Sequence, residues 1–123
     1  MIGEDFARAL AAKDGERLLE LLDPAVDFRA MTPNRIWEAS DPAGVIEIAF
    51  DNWFEDKDVI ESLERVESEP IADRERVGYR FSVRNPDGLH LVEQQAYYDA
   101  ADGRIGWMRI VCSGFLVVPS DDA

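Results

Sequence analysis

The sequence predicts an α+β domain in which helices come first and a meander of strands follows. Three observations carry this. Near the N-terminus Phe6, Ala9 and Leu10 recur at helical spacing. Val77, Tyr79, Phe81 and Val83 alternate with other residues, the period of a strand. Two later apolar runs flank Asp102-Gly103, a dipeptide suited to a tight hairpin.

The first helix is IGEDFARALAAKD, with Ile2, Phe6, Ala9 and Leu10 on one face and Glu4 and Arg8 spaced to pair at i,i+4. Asp14-Gly15 interrupts it. Asp14 is placed to cap a second helix, GERLLELLD, with Leu18, Leu19, Leu21 and Leu22 as its expected buried residues and Pro24 as its stop. AVDFRAM alternates and reads as a short strand, and TPNRIWEAS as a loop carrying Trp37. Asp41-Pro42 gives a cap and a first-turn proline to the helix PAGVIEIAFDNWF. Its wide apolar face holds Val45, Ile46, Ala49, Phe50, Trp53 and Phe54.

DVIESLERVESEPI suits a strand or a charged helix by pattern; Pro70 and its surroundings favour the strand. In ERVGYRFSVRN the apolar face is Val77, Tyr79, Phe81 and Val83, and the other face Gly78, Arg80, Ser82 and Arg84. Pro86-Asp87-Gly88 turns the chain. LHLVEQQAYYDA and RIGWMRIVCSGFLVV then form the hairpin over Asp102-Gly103. With no repeat and no linker, one domain over residues 1–118 is expected, and a disordered tail at 119–123.

The chain has 123 residues, enough for one core, and 46% of them are hydrophobic, too many for a disordered chain. No apolar run approaches the ~20 residues of a membrane span. No basic stretch leads into an apolar one at the N-terminus, so no signal peptide is expected. The single cysteine, Cys112, cannot form an internal disulfide, and the cytoplasm is the expected compartment. A net charge of −13 argues against nucleic acid and anionic membrane as partners. It fits plain solubility, or a cationic protein partner.

FARALAAKDGERLLELLDPAVDF resembles the opening of the SnoaL-like branch of the nuclear transport factor 2-like superfamily, where two helices lead into a strand through a Pro-x-Val-x-Phe pattern. YYDAADGRI resembles the hairpin between that family's last long strands. The resemblance spans residues 2–116. It implies the cystatin-like, nuclear transport factor 2-like cone: a curved antiparallel sheet wrapped around the N-terminal helices, with an internal pocket. It also implies pairing into homodimers through the outer side of the sheet. Leu91, Tyr97, Met108 and Ile110 are then the apolar set on that side. The family includes dehydratases, isomerases, epoxide hydrolases, polyketide cyclases and proteins that only bind, so the fold does not give the function.

Strand parity sorts the polar residues. If Ile105 points inward, Trp107, Arg109 and Val111 follow it. If Ala100 faces Ile105, then Tyr98, Ala96, Gln94, Val92 and His90 are inward, while Glu93, Gln95 and Tyr97 are outward; a bulge would invert part of this. The expected ligand-binding set is Trp37, Trp53, Tyr79, Gln94, Tyr98 and Arg109. Arg109 orients a ligand, or is an exposed strand-edge arginine, or forms a structural pair with Glu93 or Asp99. His90 is the only histidine, and with Arg109 it is a candidate for catalysis, although a solvated or structural role fits it too. Cys112 reads as a small buried hydrophobe.

The Asp/His pairs of the family's cyclases and dehydratases have no counterpart that parity can place, nor does the Asp-Arg-Asp set of its epoxide hydrolases. One His and one Cys suggest no metal site, and nothing suggests a cofactor. Two readings of function stand. One is a small-molecule-binding protein with an apolar pocket for an apolar or carbonyl-containing ligand, extending to a cofactor-free isomerase, dehydratase or hydrolase. The other is a non-catalytic module for dimerisation or protein interaction.

Overall fold

A computed structural model describes residues 1–119. The tail expected at 119–123 lies, from residue 120 on, outside the described residues. The chain runs α1 (Ile2–Ala11), α2 (Gly15–Leu21), β1 (Leu22–Thr32), β2 (Arg35–Ala39), α3 (Pro42–Glu47), a π-helical turn (Ile48–Trp53), then β3 (Val59–Ile71), β4 (Arg74–Asn85), β5 (Gly88–Ala101), β6 (Arg104–Cys112) and β7 (Leu116–Val117). The strands form one sheet in the order β2-β1-β6-β5-β4-β3, with β7 on β5. The ladders are antiparallel except β1–β6, which is parallel because α1, α2 and β1 precede the meander and β1 docks beside its last long strand. This is the expected α+β cone, with a mixed rather than purely antiparallel sheet.

Local chemistry fixes the elements. Asp14 accepts the Arg17 N–H at 3.0 Å and caps α2. Asp41 accepts the Gly44 N–H at 2.7 Å and caps α3, with Pro42 in the first turn. Asp102 and Gly103 both have positive φ, 55° and 75°, the twist a two-residue hairpin needs. α1 lies across β3 and β4. It comes so close to β5 that the Gly3 N–H donates to the Tyr98 hydroxyl at 3.0 Å. The core joins Phe6 and Leu10 of α1, Leu18 of α2, Phe28 of β1, Phe54, and the inward faces of β4 to β6.

Four local expectations are corrected. TPNRIWEAS contains β2 rather than a loop; the two-residue turn at Pro33-Asn34 lets Arg35–Ala39 pair back on β1. Leu19 is exposed, since α2 packs through Leu18 and Leu21 only. α2 stops at Leu21, and Pro24 sits inside β1. The third helix changes pitch: Phe54 N–H reaches back five residues to the Ala49 carbonyl at 2.8 Å. That widened turn brings Ile48 into the core beside Ala49, Trp53 and Phe54, and leaves Phe50 half-buried.

The largest correction lies in β6. Ala100 faces Ile105 as expected, but Asp99 faces Trp107, so Gly106 is an extra residue on β6. Parity inverts beyond it. Met108 and Ile110 point into the core and are buried, while Trp107, Arg109 and Val111 turn to the outer face. The outer apolar set therefore loses Met108 and Ile110.

Candidate functional site

A half-open chamber of about 200 Å³ lies between β1, β2, the π-helical turn, β5 and β6. Trp37, Trp53, Phe54, Val92 and Phe115 form its apolar walls, with Thr32, Asn52, Gln94, Cys112 and Gly114 between them. A larger groove, about 450 Å³, runs along β2, but its lining is mostly polar. The chamber is the better site because both residues with unpartnered buried N–H groups, Gln94 and Trp53, line it.

Gln94 stands on β5, 1% exposed. Its Oε1 accepts the Tyr79 hydroxyl at 2.6 Å. Tyr79 is buried, and burial first, then the nearby Cys112, pushes its phenol well above the ordinary tyrosine range. It is therefore a fixed neutral donor. Gln94 Nε2 has no hydrogen-bond partner, and neither has the indole Nε1 of Trp53. Two residues that line the chamber thus carry buried N–H groups without acceptors, a costly arrangement unless something else supplies them.

The two indoles are held differently. Trp37 donates from Nε1 to the Thr32 hydroxyl at 2.9 Å, stands edge-on to Trp53 at 6.5 Å, and carries the Arg35 guanidinium 3.7 Å from its ring centre. Trp53 rests against Phe28 at 6.3 Å. Opposite Gln94 in the β5–β6 ladder stands Cys112, whose sulfur accepts the Gly114 N–H at 3.4 Å. No carboxylate, imidazole or ammonium lines the chamber among the described residues. Nor does any group of three or more His, Cys, Asp or Glu among them have the geometry to hold a metal.

No family model matches the chain, and no curated protein matches its sequence. Solved structures do resemble it. A candidate isomerase from Rhodopseudomonas palustris superposes with a TM-score of 0.71 at 20% identity, covering 93% of this chain and 90% of that one. An LEH-like epoxide hydrolase from M. tuberculosis gives 0.65 at 12% identity, covering 91% and 80%. The CaMKII hub of S. rosetta gives 0.61 at 16% identity, covering 92% and 91%. The chain has the nuclear transport factor 2-like, SnoaL-like fold. At these identities the likeness establishes the fold alone.

Within this nuclear transport factor 2-like cone the expected site residues separate. Trp37, Trp53 and Gln94 line the chamber, and Tyr79 supports Gln94 from behind. Tyr98 is buried elsewhere, against α1, where burial first and Glu75 second raise its phenol. His90 is inward and 6% exposed, but it opens on an adjoining cleft with Lys57 and Asp58 that shares Asn52, Trp53 and Phe115 with the chamber; its Nδ1 lies 3.1 Å from the Gly88 carbonyl and its ring meets Phe115 edge-on at 5.7 Å.

Arg109 is the clear correction. It lies on the outer face beside Trp107, and its guanidinium donates to the Asp27 carbonyl at 3.0 Å and pairs with the Asp27 carboxylate at 3.2 Å. The partner comes from β1, not from Glu93 or Asp99, because the parallel β1–β6 ladder brings Asp27 alongside. Cys112, Asn52, Thr32 and Phe115 are chamber residues that parity missed. Once Gly106 is recognised as a bulge, the inward turn of Cys112 follows; nothing in the sequence marks the position of Phe115.

Proposed function

We propose that this chain binds a small, neutral, largely apolar molecule bearing a carbonyl or similar acceptor, and that it does so in the chamber between Trp37, Trp53 and Gln94. The observation that carries this is the pair of buried N–H groups, Gln94 Nε2 and Trp53 Nε1, with no acceptor of their own. Apolar walls supply affinity and the two donors supply orientation. A charged ligand finds no counter-ion in the lining. Among the fold's neighbours are proteins described as isomerases, a polyketide cyclase and an epoxide hydrolase, which supports a small-molecule role for the same cone. Polarising a carbonyl through two N–H donors is the chemistry this lining offers an isomerase-type reaction. A lone cysteine suits a cytoplasmic setting.

A thermal-shift screen of small ketones, aldehydes and amides against their alcohol and carboxylate analogues tests this. Neutral carbonyl compounds raise the melting temperature; at a hundredfold excess over Kd the gain is about 2.7 kcal/mol. A preference for carboxylates would contradict the reading.

A homodimer through the outer sheet face is the second part of the proposal. Ile36, Met31 and Val111 are neighbours across β2, β1 and β6, and all three are more than half exposed. Arginines on this face are ion-paired within it, as in Arg29–Glu38, Arg76–Glu69, Arg80–Glu93 and Arg109–Asp27. It is a locally balanced surface in a chain of net charge −13, where a second copy meets little repulsion. Resemblance to a hub domain is in keeping with assembly. Sedimentation tests it: dimer for the parent and monomer for Val111→Arg, against monomer throughout.

A further inference from the structure

We infer that Cys112 is a thiol-addition site for a small neutral α,β-unsaturated ketone or aldehyde held in the chamber. This rests on the proposed function, since it requires a neutral carbonyl compound to occupy that space.

Three placements converge. Cys112 pairs directly with Gln94 across β5–β6, and both line the chamber. The Gly106 bulge is what turns the thiol inward; without it, β6 parity would send Cys112 to solvent. The sulfur is positioned by the Gly114 N–H at 3.4 Å, and a thiolate formed there keeps that donor. Gln94, 1% exposed, and Trp53, 8% exposed, line the same space and carry unpartnered N–H groups. A carbonyl oxygen that accepts from them brings its conjugated carbon within the chamber that holds the nucleophile. With no charged group in the lining, a soft neutral electrophile is the partner that suits this thiol.

The step balances without any further reagent. The thiol gives its proton to solvent, and the sulfur electron pair forms the C–S bond at the β-carbon. The C=C π pair shifts to make an enolate, whose oxygen is held by Gln94 Nε2 and Trp53 Nε1. A solvent proton then adds at the α-carbon and leaves a saturated thioether. Nothing is oxidised or reduced overall.

The test is intact-protein mass spectrometry with 2-cyclohexen-1-one near neutral pH, with N-acetylcysteine as the free-thiol reference and iodoacetamide as an access control. The expected result is one adduct, mapped to Cys112, forming on the order of tenfold or more faster than on N-acetylcysteine. In Gln94→Leu the ratio of the enone rate to the iodoacetamide rate falls by a similar factor. Trp53→Phe, which removes only the indole N–H, moves the ratio the same way. Addition no faster than to the free thiol overturns the inference, and so does a ratio unchanged in both variants. Saturated cyclohexanone separates the two levels: if it stabilises the protein while the enone fails to add, thiol addition fails and the binding reading stands. If neither compound acts, both fail.

Discussion

The Tyr79 hydroxyl donates to Gln94 Oε1 across 2.6 Å, and this bond leaves the amide nitrogen of Gln94 as a free donor at the chamber wall. The two residues also face each other directly in the β4–β5 ladder. Gln94→Leu strands the buried Tyr79 hydroxyl and costs about 1–3 kcal/mol in urea denaturation. Adding Tyr79→Phe removes the stranded group and recovers most of that loss. Carbonyl binding stays lost in the double variant. If it returned along with stability, Gln94 would be structural only.

Gly3 sits where a side chain cannot. A Cβ there would lie 2.6 Å from the Tyr98 hydroxyl and 2.8 Å from its ring. Gly3→Ala therefore pushes α1 off β5, at about 1–3 kcal/mol. Denaturation midpoints check this, and an unchanged midpoint would mean that α1 docks more loosely than described.

Gly106 predicts a contrast between two changes at one position. Gly106→Ala is tolerated, because its nearest neighbour would be the Asp23 Cβ at 4.0 Å and its φ is not positive. Inserting one more residue after Gly106 exceeds what a one-residue bulge absorbs, and drives Trp107 and Arg109 inward while exposing Met108 and Ile110. Loss of cooperative unfolding in the insertion variant, with near-parent stability in the alanine variant, is the expected result.

That single residue also marks the limit of what the sequence makes legible. Alternation placed His90, Val92, Gln94, Ala96 and Tyr98 on the inner face of β5, and β5 runs unbroken there. The same rule carried past Gly106 misplaced Arg109 and Trp107, because one extra residue inverts everything after it. Capping chemistry at Asp14 and Asp41 was readable because it is local. β2 was not, because its short half-exposed stretch gains its pairing from β1 rather than from its own pattern. The chamber depends on Phe115 and Gly114 folding back over β5, a long-range event with no local signature.

Asp27 and Arg109 predict a pH dependence at the outer face. The Arg109 hydrogen bond, more than its charge or that of Arg29, holds the Asp27 carboxyl below its ordinary 3.8. A depressed folded-state value means that the contribution is present above pH 3.8 and is lost as pH falls through the lower folded-state value. Asp27→Asn should be less stable than the parent at neutral pH and converge with it in stronger acid. Arg109→Met should leave chamber binding untouched; loss of binding there would revive an inward role for this arginine.

The most direct test of the central claim is a proton–nitrogen NMR titration with cyclohexanone, following the Gln94 side-chain amide and the Trp53 indole N–H. Both resonances should shift saturably with one shared Kd, while the Trp37 indole, already bonded to Thr32, moves less. Saturation at β2-groove residues such as Ser40 and Glu47, with Gln94 and Trp53 unmoved, would contradict the account.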